Sequence, residues 1–88
     1  MKIKGWIWDD WNRAHITPHD VAEDEAEEVA ETAGILEKAG HGKYRAWGQT
    51  EEGRHLLVVF TVRPGRWGYV ITAKDMTMHE KRRYRRRR

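Results

Sequence analysis

The chain contains no cysteine and no serine. The first absence excludes a disulfide framework and any thiolate zinc site. Together they exclude hydrolysis through a serine or cysteine nucleophile. Only two prolines, Pro18 and Pro64, interrupt the backbone, and no Gly-rich phosphate loop occurs. No apolar run approaches the roughly 20 residues needed to cross a bilayer, and the opening MKIKGWIW has no signal-peptide core. With 88 residues, the expectation is one domain with one modest core, soluble, cytoplasmic and without a membrane partner.

What is present is tryptophan, and charge unevenly placed. The formal net charge of +3 conceals seven positive side chains among the last eight residues, Lys81 to Arg88, which leaves residues 1–80 four charges negative. Seven carboxylates fall between Asp20 and Glu31. This polarity suits a chain that meets both a polyanion and a basic partner; charge alone fits equally well a solvated acidic helix face and a frayed basic end. Of the five tryptophans, most are expected in the core, because large aromatics give a small domain much burial, with one or two open to a stacking or docking role.

Alternation in KIKGWIW, from Lys2 to Trp8, predicts an opening strand. DDWNRAHI predicts one short helical piece. TPHD predicts the start of the next helix, with Thr17 as N-cap and Pro18 in its first turn. That helix sets Val21, Ala22, Ala26, Val29, Ala30 and Ala33 on one narrow face, with solvated acidic faces elsewhere and Gly34 as its C-cap. ILEKAGHGKY, with two glycines around His41, reads as a loop. Tyr44 to Thr50, RHLLVVFTV and Trp67 to Ala73 read as a three-strand antiparallel meander, the middle strand apolar on both faces, with an edge that the N-terminal strand can join. RPGR makes a type II turn between the last two strands. Thr77 and Glu80 form a capping box for a short C-terminal helix. The expected fold class is α+β, with helices on one face of a small antiparallel sheet.

His15 and His19 stand four apart, a spacing that can aim two ligands at a metal. Pro18 lies between them and starts a new element, so hydrogen bonds to backbone at the helix junction are the plainer role. A basic and aromatic set remains in the C-terminal half: Arg54, Arg63, Arg66, Lys74, Arg82, Arg83 and Tyr84. Arginine and lysine neutralise phosphates, and tyrosine or tryptophan stacks on unpaired bases. Cleaving RNA through the neighbouring 2′-hydroxyl needs a base, a cation for the charge developing on phosphorus, and an acid for the leaving oxygen. Histidine, lysine, arginine and tyrosine cover those tasks without a metal or other cofactor.

In that order, WDDWNRAHI, HDV…EAEEV, YRAWGQTEEGRHLLVVFT and VITAKDMTMHEKRRY resemble the BrnT family of toxins, over roughly Trp8 to Tyr84. The resemblance implies a RelE-like fold: a central antiparallel meander with two N-terminal helices and a short C-terminal helix in one domain over residues 1–84, then a basic tail at 85–88. It implies a metal-independent endoribonuclease toxin of a type II toxin–antitoxin system that inhibits translation and growth. Its cognate antitoxin, typically a ribbon-helix-helix protein, neutralises the toxin by direct contact and takes the complex to operator DNA. Carried over by position, the site residues are Arg54 and Lys74 for phosphate and transition-state charge, with His19 or Tyr84 for proton transfer or base stacking. Arg63, Arg66, Lys81, Arg82, Arg83, Arg85 and Arg86 are the expected RNA-binding residues, and the terminal arginines add salt-dependent attraction. The chain departs from the family at Gly48-Gln49-Thr50, where many relatives read GRT, and at Lys74, where arginine is frequent. A catalytically weak or inactive RelE-like module that binds nucleic acid or a partner is therefore the alternative.

Overall fold

Along the strand His55–Arg63 (β4), Leu56, Val58 and Phe60 join one buried cluster while Leu57 and Val59 join another. Alternating side chains put the two clusters on opposite faces, so β4 is the buried centre of the sheet, as its sequence predicts. The computed structural model describes residues 2–87. Gly5–Ile7 (β1), Ile35–Lys38 (β2), Lys43–Gln49 (β3), β4 and Trp67–Asp75 (β5) form one five-stranded sheet in the order β1-β5-β4-β3-β2. Helices Asp10–Ile16 (α1), Glu23–Thr32 (α2) and Met78–Arg87 (α3) complete a compact α+β fold.

The meander of β3, β4 and β5 is antiparallel as expected, but β1 runs parallel to β5, so the sheet is mixed. The helices also do not share one face. Ile16 at the end of α1, Val21 and the α2 residues Ala26, Val29 and Ala30 pack with Ala46, Leu56, Val58, Phe60, Val70 and Ala73. Tyr84 of α3 packs with Trp47, Leu57 and Met76 on the other side. The order of helices along the chain gave no sign of this division. It follows from strand parity, since Trp47 and Leu57 lie out of phase with Ala46 and Leu56.

ILEK is a strand rather than a loop: β2 pairs antiparallel with β3, Ile35 opposite Trp47. The two glycines shape only the tight turn after it, where Gly40, His41 and Gly42 all have positive φ (80°, 53° and 73°), a conformation glycine adopts without steric cost. The RPGR turn matches its type II prediction, with φ 84° at Gly65 and the Arg66 N–H donating to the Arg63 carbonyl at 3.1 Å.

The Thr17 helix start requires correction. Thr17 Oγ1 donates back to the Arg13 carbonyl at 2.7 Å, Thr17–His19 forms a short 3-10 turn, and Asp20 takes φ 55°. The long helix begins only after Ala22, whose N–H donates to Glu25 Oε1 at 3.0 Å. Hydroxyl-to-backbone bonding ended one helix here instead of starting the next. Gly34 is not the expected C-cap of α2: the cap is Ala33, which leaves the helix extended (φ −50°, ψ 133°), and Gly34 has no left-handed φ. A Cβ at Gly34 would meet Tyr84 Oη at 2.6 Å, so α3 packs against bare backbone.

α1 begins as DDWN suggests, with reciprocal bonds between Asp9 and Asn12. Asn12 is wholly buried and also donates to the Ile7 carbonyl, fastening the end of β1 to α1. Thr77 and Glu80 form the expected box at the start of α3. The helix continues through Arg85, Arg86 and Arg87, so these residues are helical; Arg88 of the expected tail lies outside the described residues.

Candidate nucleic-acid interface

Arg54 and Lys74, expected to act together, stand on opposite faces of the sheet. Arg54 ends the turn before β4, and its side chain reaches the α1–α2 side. Its Nε and Nη2 donate to Asp75 Oδ1 and Oδ2 (2.8 and 3.0 Å), Nη1 to the Asp20 carbonyl and Glu25 Oε1 (2.7 and 2.9 Å), and Nη2 also to the His19 carbonyl (3.1 Å). A guanidinium has five N–H donors, and all five are occupied. Hydrogen bonding and charge from Asp75, with Glu25 adding to it, raise the Arg54 pKa further above its usual value despite partial burial. The adjoining groove of about 520 Å³ is lined by Thr17, Asp20, Val21, Ala22, Asp24, Glu25, Glu52 and Arg54. Four carboxylates in that lining make it hostile to a phosphate.

The α3 side of the sheet has the opposite chemistry. Lys74 is level with Leu57, out of phase with Ala73 and Asp75, and therefore faces the α3 side. The residues sharing this face on the three central strands are Lys43, Arg45, Trp47 and Gln49 from β3, His55, Leu57, Val59, Thr61 and Arg63 from β4, and Trp67, Tyr69, Thr72 and Lys74 from β5. None is a carboxylate and four are cations. β5 can supply both Tyr69 and Lys74 to one face because its pairing with β4 shifts register between Val59 and Phe60, leaving Ile71 as an extra residue.

α3 borders this face at the Lys74 end. The Arg83 guanidinium lies 5.1 Å from the Trp47 ring centre, and Arg87 donates to Glu37 at 3.1 Å. Tyr84 is buried at the sheet with its ring edge-on to His55, centroids 5.9 Å apart. His55 and Lys74 are diagonal neighbours across the β4–β5 ladder, a relation that sets side chains about 7–8 Å apart. At the other end, the Arg63 guanidinium stacks 3.9 Å over Tyr69. Arg66 is exposed in the adjoining turn with φ 65°.

The acidic faces of α2 are not merely solvated. Glu31 accepts the Trp6 indole N–H and Glu27 that of Trp8, both at 2.7 Å. Glu23 pairs with Arg13, Glu25 with Arg54, and Glu28 accepts the Glu51 N–H. On the other face Glu37 accepts the Trp47 indole N–H at 2.8 Å. Much of the chain's acid thus anchors its tryptophans and its central arginine.

Three carboxyls sit below their ordinary values of 3.8 for Asp and 4.5 for Glu. Asp9 is lowered by the Asn12 N–H and then by Tyr69, Glu37 by the Trp47 indole and then Arg87, and Asp75 by Arg54. Burial first, then the bond to Asp9, raises the Tyr69 hydroxyl. A carboxyl whose folded pKa is depressed contributes stability that is complete above its unfolded value and is lost as pH falls through the folded one. Melting temperature is therefore expected to hold steady down to about pH 5 and to drop below about pH 4. Thermal melts across that range check it; an unchanged melting temperature at about pH 2 would show that these bonds add nothing.

The expected site residues thus divide. His19 and Arg54 meet on the α1–α2 side, where Asp75, not among the expected residues, pairs with Arg54; Lys74, Tyr84, Arg63 and Arg83 belong to the α3 side. Lys81, Arg82, Arg85 and Arg86 all lie on α3. His15 bonds the Trp11 carbonyl through Nδ1 at 2.8 Å and stacks on the Trp11 ring at 3.9 Å. Among the described residues no group of three His, Asp or Glu side chains converges as a metal would require, and no helix is long and apolar enough to cross a membrane. His55, which the sequence reading did not single out for this face, stands in phase with Leu57 by the odd-numbered alternation of β4. No family model matches the chain, and no curated protein matches it either.

Proposed function

We propose that the chain is a RelE-like ribonuclease toxin of the BrnT type, acting on RNA across the α3 side of its sheet without a metal. One observation carries the reading: the three central strands bear no carboxylate on that face while presenting Lys43, Arg45, Arg63 and Lys74 beside the arginine-rich α3. Such a surface attracts a polyanion, and the cluster of His55, Tyr84 and Lys74 supplies the side-chain types that transesterification needs. Lys74 balances charge developing on the phosphate while His55 takes the 2′-hydroxyl proton as the 2′-oxygen bonds to phosphorus. The bond to the 5′-oxygen breaks, that oxygen takes a proton from solvent water, and Tyr84 orients His55 from its buried seat.

Arg54 has a different part. With every donor occupied it clamps the helix junction to the sheet, and His19 contributes its carbonyl to that clamp. The antitoxin, a ribbon-helix-helix protein that carries the complex to operator DNA, follows from the motif resemblance; the basic α3 side is the surface an acidic partner segment would cover. The second reading, a RelE-like module with little or no catalysis, is favoured by Gln49 at the family's arginine position together with an Arg54 whose donors are all occupied on the opposite face.

The test is inducible expression with and without the adjacent gene, followed by mapping of RNA ends. Growth arrest with new RNA ends, both relieved by the neighbour, is the expected result. Unimpaired growth with intact RNA would remove the enzyme and leave the binding module.

A further inference from the structure

The five tryptophans fall into two groups. Trp6, Trp8 and Trp47 each donate their indole N–H to a carboxylate. Among the described residues the indole N–H groups of Trp11 and Trp67 meet no acceptor, and these side chains are 49% and 39% exposed. Both flank Tyr69. Trp67 is two residues before it on the same strand and therefore on the same face, and the Trp11 ring centre is 6.2 Å from that of Tyr69.

Cations alternate with these rings. Arg63 is the cross-strand partner of Trp67 and stacks over Tyr69. Lys4 Nζ lies 5.8 Å from the Trp67 ring centre. The six-membered ring of Trp67 rests against Gly5, where a Cβ would come within 2.5 Å of Cζ3. The ring is thus held in place before any ligand arrives, which lowers the ordering cost of binding. Tyr69 is further fixed by hydrogen bonds to both carboxylate oxygens of Asp9.

We infer that this corner is a base-stacking station for single-stranded RNA, separate from the Lys74 cluster and on the same face. Tyr69 is level with Thr61 and Lys74 with Leu57. Four residues of β4, about 14 Å, therefore separate the two along the strand, with Trp67 about 20 Å away. A strand crossing the face keeps its phosphates over Lys43, Arg45 and Arg63 while an unpaired base meets Trp67 or Trp11. A duplex hides its base faces and cannot use such a station. The identity of the ligand as RNA rests on the function proposed above; the existence of a stacking station rests on the exposed, preorganised rings.

Binding of a short 2′-O-methyl oligouridylate, which lacks the attacking hydroxyl, reads the station without cleavage. Fluorescence anisotropy should show Trp67→Ala and Trp11→Ala each weakening affinity on the order of tenfold, the scale of one lost stacking contact. The salt dependence should stay unchanged, Trp67→Phe should restore most of the affinity, and a duplex of equal length should bind without sensitivity to either tryptophan. Affinity unchanged in both alanine variants would overturn the inference. So would equal weakening of duplex binding, or a dimer that dissociates in the variants while oligonucleotide affinity holds, which would make the corner a self-association surface. Wild-type protein that binds the oligouridylate yet cleaves no RNA would sink the ribonuclease and leave the station standing. Cleavage with tryptophan-independent binding would do the reverse.

Discussion

Arg54→Ala should lower folding stability by about 3 kcal/mol, and the melting temperature by roughly 10–20 °C for a domain of this size. The change removes five hydrogen bonds at once. It leaves the Glu25 and Asp75 carboxylates without their shared cation and the His19 and Asp20 carbonyls without a donor. These losses do not add, because the Arg54 side chain is 25% exposed and Asp75 is 57% exposed, so water recovers part of each. Arg54→Lys should fall between the two, since an ammonium keeps the charge but not the planar fork that grips Asp75 at two points. Circular dichroism melts measure both variants. A wild-type melting temperature combined with lost RNA cleavage would return Arg54 to the chemistry and refute the clamp.

Lys74→Ala should show the opposite pattern: cleavage reduced on the order of a hundredfold or more, the scale of one lost transition-state charge contact, with little change in melting temperature. Lys74 is half-buried at the border of the α3 cluster, and its loss exposes no partnered carboxylate. Lys74→Arg is expected to retain most of the activity, because arginine supplies the same charge with two-point phosphate geometry. His55→Ala should slow cleavage as well, by about 10²–10⁴-fold, the range of one lost general base, with binding of an uncleavable oligonucleotide unchanged. Cleavage at wild-type rate in both Lys74→Ala and His55→Ala would move the site elsewhere on the molecule.

The core was largely legible from the chain, and the division of the site was not. The unbroken apolar run in RHLLVVFTV announced the central strand, RPGR its turn, and the Thr77–Glu80 spacing the last helix, because each rests on residues only a few positions apart. β2 escaped notice because four residues between a helix end and a glycine pair carry too little pattern; its pairing with β3 supplies what its length lacks. The helix start at Thr17 was misjudged because a threonine hydroxyl serves either side of a helix boundary, and Asp20 with its positive φ decided between them. Arg54 looked like a hairpin-end cation because its four partner residues, His19, Asp20, Glu25 and Asp75, lie far from it in the chain. His55 lay hidden in a run that read as apolar on both faces, and strand alternation puts it on the side where Tyr84 of α3 packs.

The register shift at Ile71 divides β5 into two half-strands of opposite phase. One half aims Trp67 and Tyr69, the other Thr72 and Lys74, and a single surplus residue brings both sets to the same side. Point substitutions can tune either half independently. Straightening the strand with Ile71 still in it would turn one half over, driving Lys74 into the apolar layer beneath α2 or drawing Val70 out of it. Deleting Ile71 would instead restore regular alternation and leave Trp67, Tyr69, Thr72 and Lys74 on one face. The surplus residue therefore sets the bend and twist of this surface, while the bulge around it keeps the two sets of side chains in phase.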